Sequence, residues 1–228
     1  KQYLAFSPTP GFVDKKWETY MIQYDPGMAN RLLDEIGMKD TDGDGFRELP
    51  NGKKLVINMQ FSTQGIAGQV VEMVGQNWSE VGIKTTVKEV TPDEYRSAQS
   101  SNQLDIGMWR SGQPLAIVLG NNELFVPPFE GYFGHRTGML WAEYVDSNGS
   151  KGVKPPAYVI QLIEDINEFQ STKIGSPRFE ELGERMVKNT VTNLLKIGIV
   201  QGPAPVYHRN ALKNFVEFKT HSYEYYRT

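Results

Sequence analysis

Cysteine is absent from the 228 residues. That excludes disulfide staples, thiolate-ligated zinc and thiol catalysis. Long apolar runs are missing too: no stretch approaches the roughly 20 residues that a membrane-spanning helix needs. No block of Lys and Arg occurs, and 24 basic against 27 acidic side chains leave a net charge of −3. Nucleic acid is therefore not an expected partner. Enzyme signatures are lacking as well, whether GxSxG, a Walker loop, HExxH or GxGxxG. No internal repeat or low-complexity tract is present. The opening Lys1-Gln2-Tyr3-Leu4 reads as the middle of a protein, so the chain is expected to be a fragment or a processed form.

What is there suits a packed protein. Hydrophobic residues make up 39% and charged residues 22%, enough for one large α/β domain or two small ones. Residues 1–24 carry Pro8, Pro10 and Gly11 among aromatics and read as an irregular lead-in. Asp25-Pro26 caps a helix whose Ala29, Leu32, Leu33 and Ile36 share a face, with Gly37 as its stop. A polar turn, Asp40–Glu48, follows. Leu55–Phe61 reads as a strand, about Ala67 to Val81 as a helix, and Ile83–Val90 as a strand of period two. Thr91-Pro92-Asp93-Glu94 has the form of a capping box opening a short helix. Leu104–Trp109 is expected to be a third strand. Strand–helix–strand–helix–strand implies right-handed crossovers and a mainly parallel sheet. Residues 111–156 break the rhythm with many Gly and Pro. Helices over Ala157–Ser171 and from Ser176-Pro177 onward come next. Lys196–Val200 and Val206–Arg209 read as strands.

These segments carry a resemblance. Tyr24-Asp25-Pro26, Ala29–Gly37 and Asn51-Gly52-Lys53-Lys54-Leu55 resemble the "YDPEKANxLLDEAG … DGKxL" wording of family 5 solute-binding proteins, receptors of peptide, nickel and some oligosaccharide ABC importers. Trp78–Lys84 is similar to that family's "WxE[IL]GIK". Leu104–Trp109 is similar to its "xxDxxxxxW" strand, and Gly152–Pro156 to its "GxxPP". Asn193–Val200 with Pro205–Phe215 resembles its ending. The matches run in order over nearly the whole chain. Family members are usually much longer.

The resemblance implies an α/β, periplasmic-binding-protein-like lobe, with a central mixed, mainly parallel sheet flanked by helices. Residues 1–24 would lead in from a missing N-terminal part, and 25–228 would form the C-terminal lobe. It further implies a small-molecule ligand, oligosaccharide or peptide, held against the missing N-terminal lobe of the same protein. An ABC permease would read the closed form, at an extracytoplasmic site (periplasm or cell-surface lipoprotein), and no enzyme activity is expected. One departure bears on the ligand. Peptide receptors often follow the strand Trp with an "xxDYxxP" stretch whose Asp pairs with the ligand's amino terminus. Here Arg110-Ser111-Gly112-Gln113-Pro114 offers no carboxylate, which suits hydroxyl-rich or anionic ligands better.

Candidate ligand-binding residues follow from position. Trp109, Arg110 and Ser111 lie at the end of a predicted strand, where open α/β sheets collect ligands. Phe61, with Ser62 and Thr63, ends another strand. Trp141 and His135 lie in the irregular middle with Tyr132, Phe133 and Arg136, where aromatics serve equally to order a long loop. Asp40, Asp42, Asp44 and Glu48 match the first half of an EF-hand loop and form a candidate calcium site. Asn51 stands where that motif has its bidentate Glu, and a strand follows instead of a helix. A solvated Asp/Gly turn is the alternative. Glu164–Asp165 and Glu180–Glu181 are adjacent on helices and are expected to face solvent. A glycan-acting hydrolase and a calcium-dependent structural module are the rival functions.

Overall fold

The computed structural model describes residues 2–6, 8–109 and 138–200, together with Leu115. These form two compact units, each built from separate stretches of the chain. One unit holds residues 2–21 and 161–200, the other 22–109 and 138–160.

The second unit carries the sheet. Its order of elements is α1 (Pro26–Glu35), β1 (Val56–Phe61), α2 (Gly68–Ser79), β2 (Lys84–Glu89), α3 (Pro92–Ser100) and β3 (Ile106–Gly107). The strands lie β2-β1-β3, all parallel. Register runs from Val56 opposite Lys84 to Phe61 opposite Glu89, and pairs Met59 with Ile106 and Gln60 with Gly107. This is the parallel α/β arrangement expected from the element order. Met59, Phe61, Val71 and Met108 form its core, with Ile66, Val74, Trp78 and Ile106 packed against them. Gly75 on α2 lets the helix sit close to β2, because an added Cβ would come within 3.0 Å of Thr85 Oγ1.

β3 is shorter than the predicted Leu104–Trp109. Asp105 explains its late start. Its Oδ2 accepts from the Asn58 backbone amide (2.9 Å) and from Asn58 Nδ2 (3.0 Å). A side chain thus supplies the acceptor that a longer strand would have provided.

Helix caps form where the sequence places them. Asp25 accepts from Met28 N at 2.8 Å, Thr91 Oγ1 from Glu94 N at 3.2 Å, and Ser176 Oγ from Phe179 N at 3.2 Å, each with Pro in the first turn. The predicted inward face of α1 is only partly covered: Ala29 and Leu33 are half-buried. No α1 residue is buried, and Leu32 and Ile36 are 46% and 61% exposed. Arg47 holds this helix instead. Its guanidinium donates to Asn30 Oδ1, Asp34 Oδ1, Met38 O and Val81 O, tying α1, the polar turn and the α2–β2 connection to one side chain.

Part of the segment read as irregular is helical: α4 spans Met139–Asp146. α5 (Ala157–Ser171) matches its predicted range, and α6 (Pro177–Thr192) starts at its predicted cap. In the first unit Leu162, Ile166 and Phe169 of α5 and Phe179, Leu182, Met186, Val187 and Val191 of α6 are buried. Phe169 and Phe179 stack at 4.3 Å. Asp165 departs from its expected solvent-facing place. It is 1% exposed and forms a two-pronged ion pair with Arg185, while Glu164 is exposed. Neighbours on a helix point about 100° apart, so one faces α6 and the other water.

Residues 2–21 hold little regular structure beyond a 3-10 turn, Lys15–Thr19, as Pro8, Pro10 and Gly11 suggest. They are nonetheless packed. Phe6 and Phe12 join Phe169 and Phe179 in an aromatic cluster, and Glu184 accepts from Trp17 Nε1 (2.7 Å) and Asp14 N (2.9 Å). Lys196–Val200 forms no strand; Ile197 and Val200 are exposed, and no described strand lies beside them. Val206–Arg209 lies outside the described residues.

Candidate functional site

The carboxyl ends of β1 and β3 bring one group of predicted residues together. Continuing the β1–β3 register past Gln60–Gly107 sets Ser62 beside Trp109. Trp109 is half-buried, and its indole stacks on Tyr95 with centroids 5.2 Å apart and planes 29° from parallel. Tyr95 comes from α3 and is 1% exposed. Burial pushes its phenol up to about 12, with a hydrogen bond from the Met108 backbone pulling the other way. It is therefore a neutral, fixed platform at any physiological pH. Ser62 is buried and closes the turn after β1: its carbonyl accepts from Gly65 N (2.8 Å) and Ile66 N (3.1 Å). Thr63 is exposed beside it. A half-buried aromatic ring on a rigid base, with the exposed Thr63 at the end of the neighbouring strand, can pack against a sugar ring or an apolar side chain.

Phe61 does not belong to this wall. It is 4% exposed inside the sheet core, so packing is its role. Trp141 is half-buried on α4, with its ring against Gly138, whose positive φ (69°) caps the helix. Nothing among the described residues joins it to Trp109. Arg110, Ser111 and His135 lie outside the described residues, as do Tyr132, Phe133 and Arg136. Tyr95 and Gly65 are the members that sequence reasoning missed. Tyr95 had a signal: as the only aromatic on a short capped helix, it had to cover something.

The acidic turn converges as its spacing implies. Carboxylate oxygens of Asp40, Asp42, Asp44 and Glu48 lie within 4.8 Å of one another, a separation compatible with a shared hard cation. The groups are already engaged. Asp40 accepts from Gly43 N (2.7 Å) and Gly45 N (2.9 Å), and Glu48 accepts from Thr41 N (2.8 Å) and Thr41 Oγ1 (2.7 Å). The Lys54 ammonium sits 2.6 Å from Asp42 Oδ2 and 2.7 Å from Asp44 Oδ2. Its hydrogen bond, with one from Phe46 N, holds the Asp44 carboxyl below the usual range.

Two surface recesses are present among the described residues, the smaller bordering the acidic turn at Asp40 and Gly45. An open groove of about 720 Å³ runs between α2 and β2, lined by Glu72, Gln76, Ser79, Glu80, Thr85 and Val87 among others. A smaller polar one of about 320 Å³ surrounds Arg47. The larger contains none of the predicted site residues. No described helix is long and apolar enough to cross a membrane.

Comparison with known proteins gives the fold a context. The model of the bacterial extracellular solute-binding proteins, family 5 (middle part), matches residues 1–116. A periplasmic alpha-galactoside-binding protein of Rhizobium meliloti (strain 1021) is 25% identical over 218 residues, 92% of this chain and 29% of that protein. The oligopeptide-binding protein OppA is 27% identical, with a TM-score of 0.70 over 87% of this chain and 32% of its own. The periplasmic binding protein MelB of Agrobacterium fabrum C58, solved with stachyose, is 19% identical, with a TM-score of 0.66 over 83% of this chain and 27% of its own. MelB shares the fold; its identity supports nothing finer. The chain thus spans under a third of the length of each of these three proteins.

Proposed function

Because the chain belongs to the bacterial extracellular solute-binding proteins of family 5, we propose that it is the C-terminal, ligand-capturing lobe of an ABC importer's receptor. The observation that carries the proposal is the Trp109 ring, seated on buried Tyr95 at the carboxyl end of a parallel strand. The ligand class is an oligosaccharide or an oligopeptide, in keeping with an alpha-galactoside-binding and an oligopeptide-binding relative. The lack of a carboxylate in residues 110–114 favours the sugar.

In this reading the wall supplies half of a cleft, and the lobe missing from this chain supplies the rest. Ligand bridges the two and stabilises the closed form by its differential affinity for it. A permease in the membrane reads that form, outside the cytoplasm, and no bond of the ligand is broken. Titration calorimetry tests the division of labour. The 228-residue chain is expected to bind stachyose or a mixed peptide pool no tighter than the millimolar range, and the longer receptor micromolar or better. Micromolar binding by the 228 residues alone contradicts it. Turnover of a chromogenic glycoside would favour the hydrolase.

For the acidic turn we propose Lys54 as its resident cation. Calcium, the other expectation, would have to displace that ammonium. Melting in EGTA against calcium decides: no shift keeps Lys54, and a rise of several degrees with calcium selects the metal.

A further inference from the structure

We propose that Gly65 is a positioning residue of the ligand wall: the missing side chain is what lets the Trp109 indole lie flat against Tyr95. The functional half of this inference rests on the reading of Trp109 as ligand-facing; the physical half does not.

Backbone conformation does not explain a glycine here. Gly65 is not among the glycines with positive φ, so its backbone suits any L residue. Space explains it. A Cβ at 65 would overlap Trp109 Cε3 and fall only 2.5 Å from Cδ2 and 2.7 Å from Cζ3. Near-equal distances to three adjacent ring atoms place that methyl over the face of the six-membered ring, not beyond its edge. The Cβ direction of Gly65 therefore points into the indole ring.

The neighbours have little room to yield. Gly65 is buried in a turn pinned by two hydrogen bonds to Ser62 O, and Ser62 is itself 1% exposed. Tyr95 is 1% exposed and bonded to the Met108 backbone. Trp109 alone is half-exposed, so a methyl at 65 would resolve its clash by tipping the indole off Tyr95. How the exposed part of the ring meets a ligand depends on the plane of the ring. Gly65 thus fixes that plane before ligand arrives, and part of the affinity comes from a preorganised surface.

The test uses Gly65→Ala, Trp109→Phe and the double variant in the full-length receptor. Near-ultraviolet circular dichroism reads the ring, taking the difference from Trp109→Phe as the Trp109 signature. Calorimetry with stachyose and a mixed tetrapeptide pool reads the wall. Gly65→Ala is expected to alter the Trp109 signature and to weaken binding of the accepted probe at least tenfold. The double variant should bind no worse than Trp109→Phe, because both changes act through one ring. It should also regain melting temperature lost in Gly65→Ala, since phenyl is smaller.

An unchanged Trp109 signature in Gly65→Ala overturns the positioning role. An altered signature with unchanged affinity overturns its link to the ligand, as do losses that simply add. If neither probe binds the unaltered receptor, the ligand class proposed above fails, while the spectral comparison still decides the role of Gly65.

Discussion

Helix α1 and the α5–α6 pair carry the same kind of apolar stripe and meet opposite fates. In α5 and α6, side chains such as Leu162, Ile166, Leu182 and Met186 are 0% exposed. In α1, Leu32 and the capping Ile36 stay open to solvent, Ala29 and Leu33 are only half-buried, and one guanidinium supplies the strongest polar hold. Periodicity tells which face of a helix is apolar. Whether that face is covered depends on what arrives opposite it, and no local pattern encodes that. One unit is consequently stabilised by area removed from water, while α1 hangs on polar geometry.

The largest effect should come from emptying the apolar region. Phe169→Ala removes a ring that stacks on Phe179 and lies near Phe6. A loss of about 3–5 kcal/mol is expected, read as a lower urea midpoint. The aromatic cluster also ties residues 2–21 to α5 and α6, so Trp17 emission should redden in the same titration. A loss under about 1 kcal/mol would mean the cluster is loosely packed.

Arg47→Ala is the corresponding change for α1. Asp34 and Asn30 can rehydrate, but the Met38 and Val81 carbonyls lose a charged donor at 2.6 and 3.0 Å. About 2 kcal/mol is expected. Amide exchange should accelerate in α1 and the Asp40–Glu48 turn, and stay unchanged in α5 and α6. Arg47→Lys should recover only part, because a point charge cannot serve four acceptors. Equal acceleration in both units would abolish the contrast.

These two regions also show what the sequence told. Caps at Asp25, Thr91 and Ser176, the two helices after residue 156 and the parallel sheet were legible, because each is written in local chemistry. α4 was hidden by the Gly and Pro on both sides of it, although Met139–Asp146 contains neither. Burial was the poorest reading. Phe61 looked like a strand-end ligand contact and proved to be core; Asp165 looked solvated and proved to be paired. Of the wall, Trp109 could be found from its strand, and Tyr95 only as the lone aromatic of a short capped helix. Gly65 could not, since what makes it matter is a contact with a ring 44 residues away that only the fold creates.

Acid should erode both regions alike, through exposed pairs. Arg178 grips Glu168 with two bonds (2.6 and 2.7 Å) and holds its carboxyl below the ordinary 4.5, as Lys54 holds Asp44 below 3.8. A carboxyl that is more acidic when folded binds fewer protons there than in the unfolded chain. The resulting stability is complete above those ordinary values and is lost as pH falls through the lower folded ones. Melting temperature should therefore decline gently below about pH 4.5, less so in 0.5 M salt, because exposed pairs are screened. Glu168→Gln should flatten its share of the slope, and a steeper slope in that variant would show the assignment to be wrong.

The smallest effect should come from the open stripe itself. Leu32→Ser puts a polar side chain on a face that is already 46% exposed, so the transfer term that makes core substitutions costly is mostly absent. Serine forms helix slightly less well than leucine, and the net change should stay within about 0.5 kcal/mol. Leu182→Ser, with the same chemistry at a 0% exposed site, should cost several times more, since it adds a buried hydroxyl to a lost methyl cluster. The ratio of the two measures coverage directly. If Leu32→Ser proved as damaging as Leu182→Ser in the 228-residue chain, the face of α1 would be covered in solution, and Arg47 would be an accessory to burial and not its substitute.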